Sequence, residues 1–136
     1  MIILDTCIFL RMILETARLP RKVADAVISA PVLGLPAISL WEVAMLVQKE
    51  RISIPDPSLR EWFQVVLSAP RLRVLPLTPE IASRSGTLNM HGDPADRLIA
   101  ATALEYGCRL ATTDEKLIEL DWLPTIPEPV TPPPST

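Results

Sequence analysis

Short apolar runs alternate with stretches of helical spacing along this chain, and that alternation restricts the fold more than any other feature. Ile2-Ile3-Leu4 is continuous rather than alternating in polarity, which is the pattern of a strand buried on both faces. Val32 to Ile38, Leu72 to Leu75 and Arg109 to Ala111 read as further strands, and Leu123 to Ile126 as an edge strand. Helices are expected from Ile8 to Leu14, Arg21 to Ile28, Ser39 to about Arg51, Leu59 to Leu67, Pro79 to about Leu88, Asp93 to Gly107 and Glu115 to Leu120. Strands that alternate with helices imply an α/β chain with a parallel sheet covered on both faces.

A chain of 136 residues, 49 % of them apolar, suits one compact domain with an ordinary core. That domain is expected over residues 1–126. Prolines then recur at Pro127, Pro129, Pro132, Pro133 and Pro134, so 127–136 is expected to be an extended or disordered tail. The net charge of -3 and the scarcity of aromatics, 4 %, argue against a general nucleic-acid binder that works by basic patches and base stacking. No apolar run is long enough to span a bilayer, and the start lacks a basic leader, so a soluble cytoplasmic protein with no membrane contact is expected. Cys7 and Cys108 have no zinc or disulfide spacing and read as reduced, half-buried thiols. His91, the single histidine, reads as a surface-loop residue.

Acids stand where helices begin: Asp5, Glu42, the pair Asp93/Asp96, and Asp114. Each of the later ones has a structural reading. Ser39-Leu40-Trp41-Glu42 fits a capping box, Asp93 with Pro94 fits an N-cap followed by proline, and Thr112 to Glu115 fits a second box. Direction favours more than capping. Asp5 follows an interior strand, where an unpaired carboxylate is costly. Asp96 shares a helical face with Ile99, Ala100 and Ala103, and Glu42 shares one with Met45 and Leu46. Inward carboxylates from separate segments repel one another unless a cation intervenes. A hard divalent ion, Mg2+ or Mn2+, is the expected cofactor, and a metal-dependent enzyme acting on phosphate the expected class. Asp93 is the cap, with a secondary metal role. Thr6, Ser39, Thr112 and Thr113 are candidates to orient ligands or a phosphate oxygen. Arg97 reads as a structural partner of the acids.

Met1-Ile2-Ile3-Leu4-Asp5-Thr6, Ile38-Ser39-Leu40-Trp41-Glu42-Val43, the stretch Asp93 to Ala103, and Leu110 to Asp114 together resemble a PIN domain, and more closely the VapC-type ribonuclease toxins. The resemblance covers about residues 1–126. It implies a three-layer α/β/α sandwich with a central parallel sheet. It also implies Asp5, Glu42, Asp96 and Asp114 as active-site acids holding one or two Mg2+ or Mn2+ ions, with Asp5 and Asp96 the most direct ligands. The expected activity is endoribonucleolytic hydrolysis of RNA. The expected partners are a VapB-like antitoxin and a second copy of the chain, in a homodimer or a toxin–antitoxin hetero-oligomer. Cys7 and Arg11 depart from the pattern and are expected to affect the entrance rather than the metal. Arg11, Arg18, Arg21, Lys22, Lys49 and Arg51 are candidate phosphate contacts. Other functions fit less of the sequence. They are a PIN-like nuclease of RNA processing, a partner-binding module without catalysis, and an aspartyl phosphatase. The last needs a second aspartate where Cys7 stands.

Overall fold

A computed structural model describes residues 1–130 as five strands and seven helices. In chain order these are β1 (Ile2–Leu4), α1 (Thr6–Leu14), α2 (Arg21–Ser29), β2 (Leu33–Pro36), α3 (Ile38–Gln48), α4 (Leu59–Val66), β3 (Leu72–Leu75), α5 (Pro79–Ser85), α6 (Pro94–Tyr106), β4 (Leu110–Ala111), α7 (Glu115–Ile118) and β5 (Thr125–Ile126). The strands form one sheet in the order β3-β2-β1-β4-β5, and every pairing is parallel. The expected parallel α/β architecture is therefore present, including the edge strand.

Side chains of β1 alternate across the sheet and divide the core in two. Leu4 packs with Ile8, Phe9, Val23, Leu35 and Trp62 on one face, while Ile3 packs with Leu75, Ile99, Ala103, Leu110 and Leu117 on the other. This makes three layers, with α1, α2 and α4 on one side and α6 and α7 on the other. Burial on both faces is what the continuous apolar run at the start of the chain requires. Gly34, in β2, is small of necessity: an added Cβ would lie 2.8 Å from Leu75 Cδ1 and 2.9 Å from Ile3 Cδ1.

Chain order reverses around β1. The chain moves from β1 outward to β2 and β3, then returns to place β4 on β1's other flank. Such a switch point opens a crevice at the carboxyl ends of the strands. Asp5 directly follows β1, and Asp114 lies just beyond β4.

Several boundaries differ from expectation. Helix α5 ends at Ser85 rather than near Leu88, where Gly86 takes the C-cap position. Helix α3 begins at Ile38, one residue before Ser39. Trp41 of that helix is 55 % exposed. Residues 127–130 follow β5 without regular structure, and the rest of the proline-rich stretch lies outside the described residues. Among the described residues no helix is long and apolar enough to cross a membrane.

Trp62 is 1 % exposed, against Phe9 and Phe63 with ring centroids 6.2 and 5.7 Å away. Trp62→Ala is expected to cost about 3–5 kcal/mol through lost burial and a cavity. Trp41→Ala is expected to stay within about 0.5 kcal/mol. Urea unfolding measures both, and equal losses would show that the packing around α4 is misassigned.

Candidate active site

Asp5 is fixed by the sheet itself. Its backbone N–H donates to Ala111 O at 3.0 Å, continuing the β1–β4 ladder by one residue. The side chain is 6 % exposed. Oδ1 caps α1 by accepting from Thr6 N at 2.8 Å. Oδ2 accepts from the Thr112 hydroxyl at 2.6 Å and from Cys7 Sγ at 3.6 Å. Asp5 therefore caps a helix and has a partner on each oxygen.

Thr112 is correspondingly not a helix cap. Its hydroxyl donates to Asp5 and accepts from Asp114 N at 3.0 Å. Asp114 instead caps α7, accepting from Lys116 N at 2.9 Å. A fully buried hydroxyl beside a buried carboxylate satisfies both groups, whereas a cap at that position would leave Asp5 short of a donor. Thr112 thus sets the positions of two acids at once.

The box expected at Ser39 and Glu42 is also absent. Ala37 precedes α3 without a side-chain cap. Thr6 Oγ1 lies 2.6 Å from Glu42 Oε1 and 2.8 Å from Ser39 Oγ. A threonine hydroxyl has one hydrogen, which goes to the carboxylate, so Ser39 donates to Thr6 in turn. The buried chain Ser39–Thr6–Glu42 ties α3 to the start of α1.

On α6, Asp93 is the cap foreseen: Oδ1 accepts from Asp96 N at 3.1 Å, with Pro94 behind it. Asp96 Oδ2 lies 2.8 Å from His91 Nε2. His91 is therefore bonded to a candidate site acid and is not an idle loop residue. No sequence signal marked it beyond its place five residues before Asp96. Arg97 touches none of the acids. Its guanidinium donates to the carbonyls of Ser85, Leu88, Met90 and His91.

Asp5, Glu42, Asp96 and Asp114 line one pocket together with Thr6, Cys7 and Thr113. Asp93, Ser39, Thr112, His91 and Arg97 stand behind that wall or at its edge. Cys7 lies closer to the acids than expected, between Asp5 and Thr113. Arg11 donates to Thr113 Oγ1 at 3.3 Å. Arg18, by contrast, is taken up by Glu15 at 2.8 Å. A more apolar groove between α3 and α4, lined by Leu40, Phe63 and Leu67, holds no comparable chemistry.

Burial raises the pKa of Asp5 above the usual carboxylate range, against the hydrogen bond from Thr112, and the charge on Asp96 adds to the rise. Glu42 is raised by burial, opposed by Thr6, and by the charges of Asp5, Asp96 and Asp93. Asp96 is raised by burial, opposed by His91, and by Asp93 and Asp114. Burial and the neighbouring Asp5 push the Cys7 thiol upward as well. Three acids held up by burial and by one another repel, and a bound cation would relieve that repulsion. The donors are all carboxylate oxygens, which fits magnesium or manganese. Among the described residues no three of these side chains converge into a finished coordination sphere. They line an opening; Glu42, Asp96 and Asp114 each have one oxygen held by the protein, and Asp5 has both.

Comparison with known proteins identifies relatives over most of the chain. A family model described as the PIN domain matches residues 2–123. Ribonuclease VapC22 of Mycobacterium tuberculosis is 41 % identical over 105 residues, which are 76 % of this chain and 78 % of the relative. The fold matches a chain in the crystal structure of VapBC2 from Rickettsia felis bound to a DNA fragment from their promoter, with a TM-score of 0.68, 21 % identity, and 92 % and 97 % of the two chains covered. A toxin–antitoxin complex from Klebsiella pneumoniae gives a TM-score of 0.63 at 20 % identity, covering 90 % and 93 %.

The raised acids give a pH prediction for the metal-free protein. A carboxyl with a higher pKa folded than unfolded binds its proton more tightly in the native state, so it destabilises the fold at neutral pH. Protonation relieves that penalty as pH falls through the raised values toward the ordinary carboxylate range. In EDTA the melting temperature is expected to rise as pH is lowered from neutrality, until general acid unfolding sets in. Saturating Mn2+ at neutral pH is expected to stabilise the protein and flatten the rise. Melting curves across pH with and without Mn2+ test this; a metal-free melting temperature that only falls on acidification contradicts it.

Proposed function

This chain belongs to the PIN domain family, and we propose that it is a divalent-metal-dependent endoribonuclease, the toxin of a type II toxin–antitoxin pair. The observation that carries this reading is the meeting of four carboxylates from four separate segments in one pocket at the sheet's switch point. The 41 % identity to a ribonuclease over three-quarters of the chain supports the reaction type.

Asp5 and Asp96 would hold the principal ion, and Glu42 and Asp114 would complete a second position or orient a water. A bound cation supplies charge neutralisation for the phosphate and lowers the pKa of water. The chain's own hydroxyls do the positioning. Thr112 holds Asp5 and the backbone of Asp114, and Thr6 holds Glu42 through one oxygen and leaves the other open. Hydrolysis adds the water oxygen to phosphorus, breaks one ribose–phosphate P–O bond and passes a proton to the leaving oxygen. Arg11, bonded to the pocket residue Thr113, is the basic side chain best placed to meet the substrate backbone.

RNA as substrate puts the enzyme's work in the cytoplasm. Solved structures that share the fold come from toxin–antitoxin complexes, which supports an antitoxin partner here. The exposed Trp41 on α3 and Val65 on α4 leave apolar surface for such a partner or for a second copy of the chain.

Asp5→Asn and Asp96→Asn are expected to lose at least ~100-fold of magnesium-dependent RNA cleavage, because several kcal/mol of charge stabilisation depend on them. Both variants are expected to stay folded, since either loses a repulsive charge. Induced expression is expected to arrest bacterial growth for the wild type and not for Asp5→Asn. Full magnesium-dependent cleavage by either purified variant would sink the assignment.

A further inference from the structure

His91 sits in the segment between α5 and α6, which has no regular structure. Such a segment does not by itself hold an imidazole still. Two sets of contacts supply what it lacks. The first is the bond from His91 Nε2 to Asp96 Oδ2 at 2.8 Å, between side chains only 28 % and 19 % exposed. The second is the Arg97 guanidinium. Its Nε donates to Ser85 O at 2.9 Å, Nη2 to Leu88 O at 2.8 Å, and Nη1 to Met90 O at 3.0 Å and His91 O at 3.2 Å. A rigid planar fork of donors suits this use, since one side chain fastens the carbonyls of a whole segment. Arg97 is the residue after Asp96, so the segment carrying His91 is tied to the same helical turn that carries the carboxylate. The Asp93 cap fixes the backbone of that turn through Asp96 N.

We propose that His91 is a positioning residue for Asp96, with Arg97 clamping the segment that delivers it. The imidazole occupies Oδ2 and sets the side-chain torsion of Asp96. Oδ1 accepts no hydrogen bond among the described residues and is left for a divalent ion. Nε2 donates, because an ionised carboxylate can only accept. Partners of this kind orient a ligating carboxylate and reduce the ordering cost of binding. His91 need not touch the substrate for this, and its neighbours explain why it is held from two directions.

The role of Asp96 as a metal ligand, on which this rests, is checked in the same experiment by Asp96→Asn. Mn2+ binding is measured by calorimetry on the purified full chain for the wild type, Asp96→Asn, His91→Gln and His91→Leu, with a melting curve for each. Glutamine keeps an N–H donor and leucine has similar bulk without one. His91→Gln is expected to bind Mn2+ within about threefold of wild type and His91→Leu about 10-fold more weakly, while the two melt alike. Should His91→Leu fail to fold, His91→Ala takes its place. If the Gln and Leu variants bind Mn2+ equally while Asp96→Asn abolishes binding, the positioning role is overturned and the metal assignment stands. If Asp96→Asn binds Mn2+ like the wild type, the metal assignment fails and the role of His91 falls with it.

Discussion

A carboxylate buried at the end of a central strand sets the terms for the rest of this structure. β1 lies between β2 and β4 and contributes to both cores, so the residue that follows it has little access to water. Placing an aspartate there costs free energy unless its oxygens are met by donors. The chain meets them locally with Thr6 N and at long range with Thr112, which belongs to the segment leaving β4. The pairing of β1 with β4 is therefore a condition for Asp5 as much as a consequence of hydrophobic burial. The same register brings Asp114 to the crevice.

The hydroxyl residues form a layer beneath the acids. Thr6 serves Glu42 from α1, Ser39 supports Thr6 from α3, and Thr112 joins Asp5 to the backbone of Asp114. Among the described residues no buried side-chain polar atom lacks a partner. A satisfied network in a dry setting is stiff, which favours holding several like charges close together. Burial and mutual repulsion raise these acids, which costs stability at neutral pH. Such a penalty is characteristic of a site arranged for a ligand that brings opposite charge.

Much of the fold was legible in the sequence. The strand positions, the proline-led starts of α5 and α6 and the glycine that closes α6 follow from local rules, and Gly107 does take the left-handed backbone expected of it. Asp93 was separable from Asp96 because the proline after it marks a cap. Glu42 and Asp96 could be grouped from the direction of helical faces and Asp5 and Asp114 from their places after strands, and all four line one pocket. Legibility stopped where local and distant partners compete for one side chain. Ser39, Thr112 and Glu42 each fit a capping motif within four residues, yet each bonds elsewhere. Once the sheet excludes water, a distant carboxylate offers Thr6 and Thr112 a charge-assisted bond stronger than a neutral cap.

His91 and Arg97 show the limit from the other side. Nothing in their spacing reveals that one grips Asp96 and the other grips the backbone of an irregular segment, because neither contact follows a helical or strand period. The sequence alone determined the α/β alternation, the family resemblance and the choice of candidate acids, since apolar periodicity and residue chemistry are local properties. Only the tertiary structure decided which group each polar side chain serves. That choice depends on which donors and acceptors are left without water when the two cores close on the sheet.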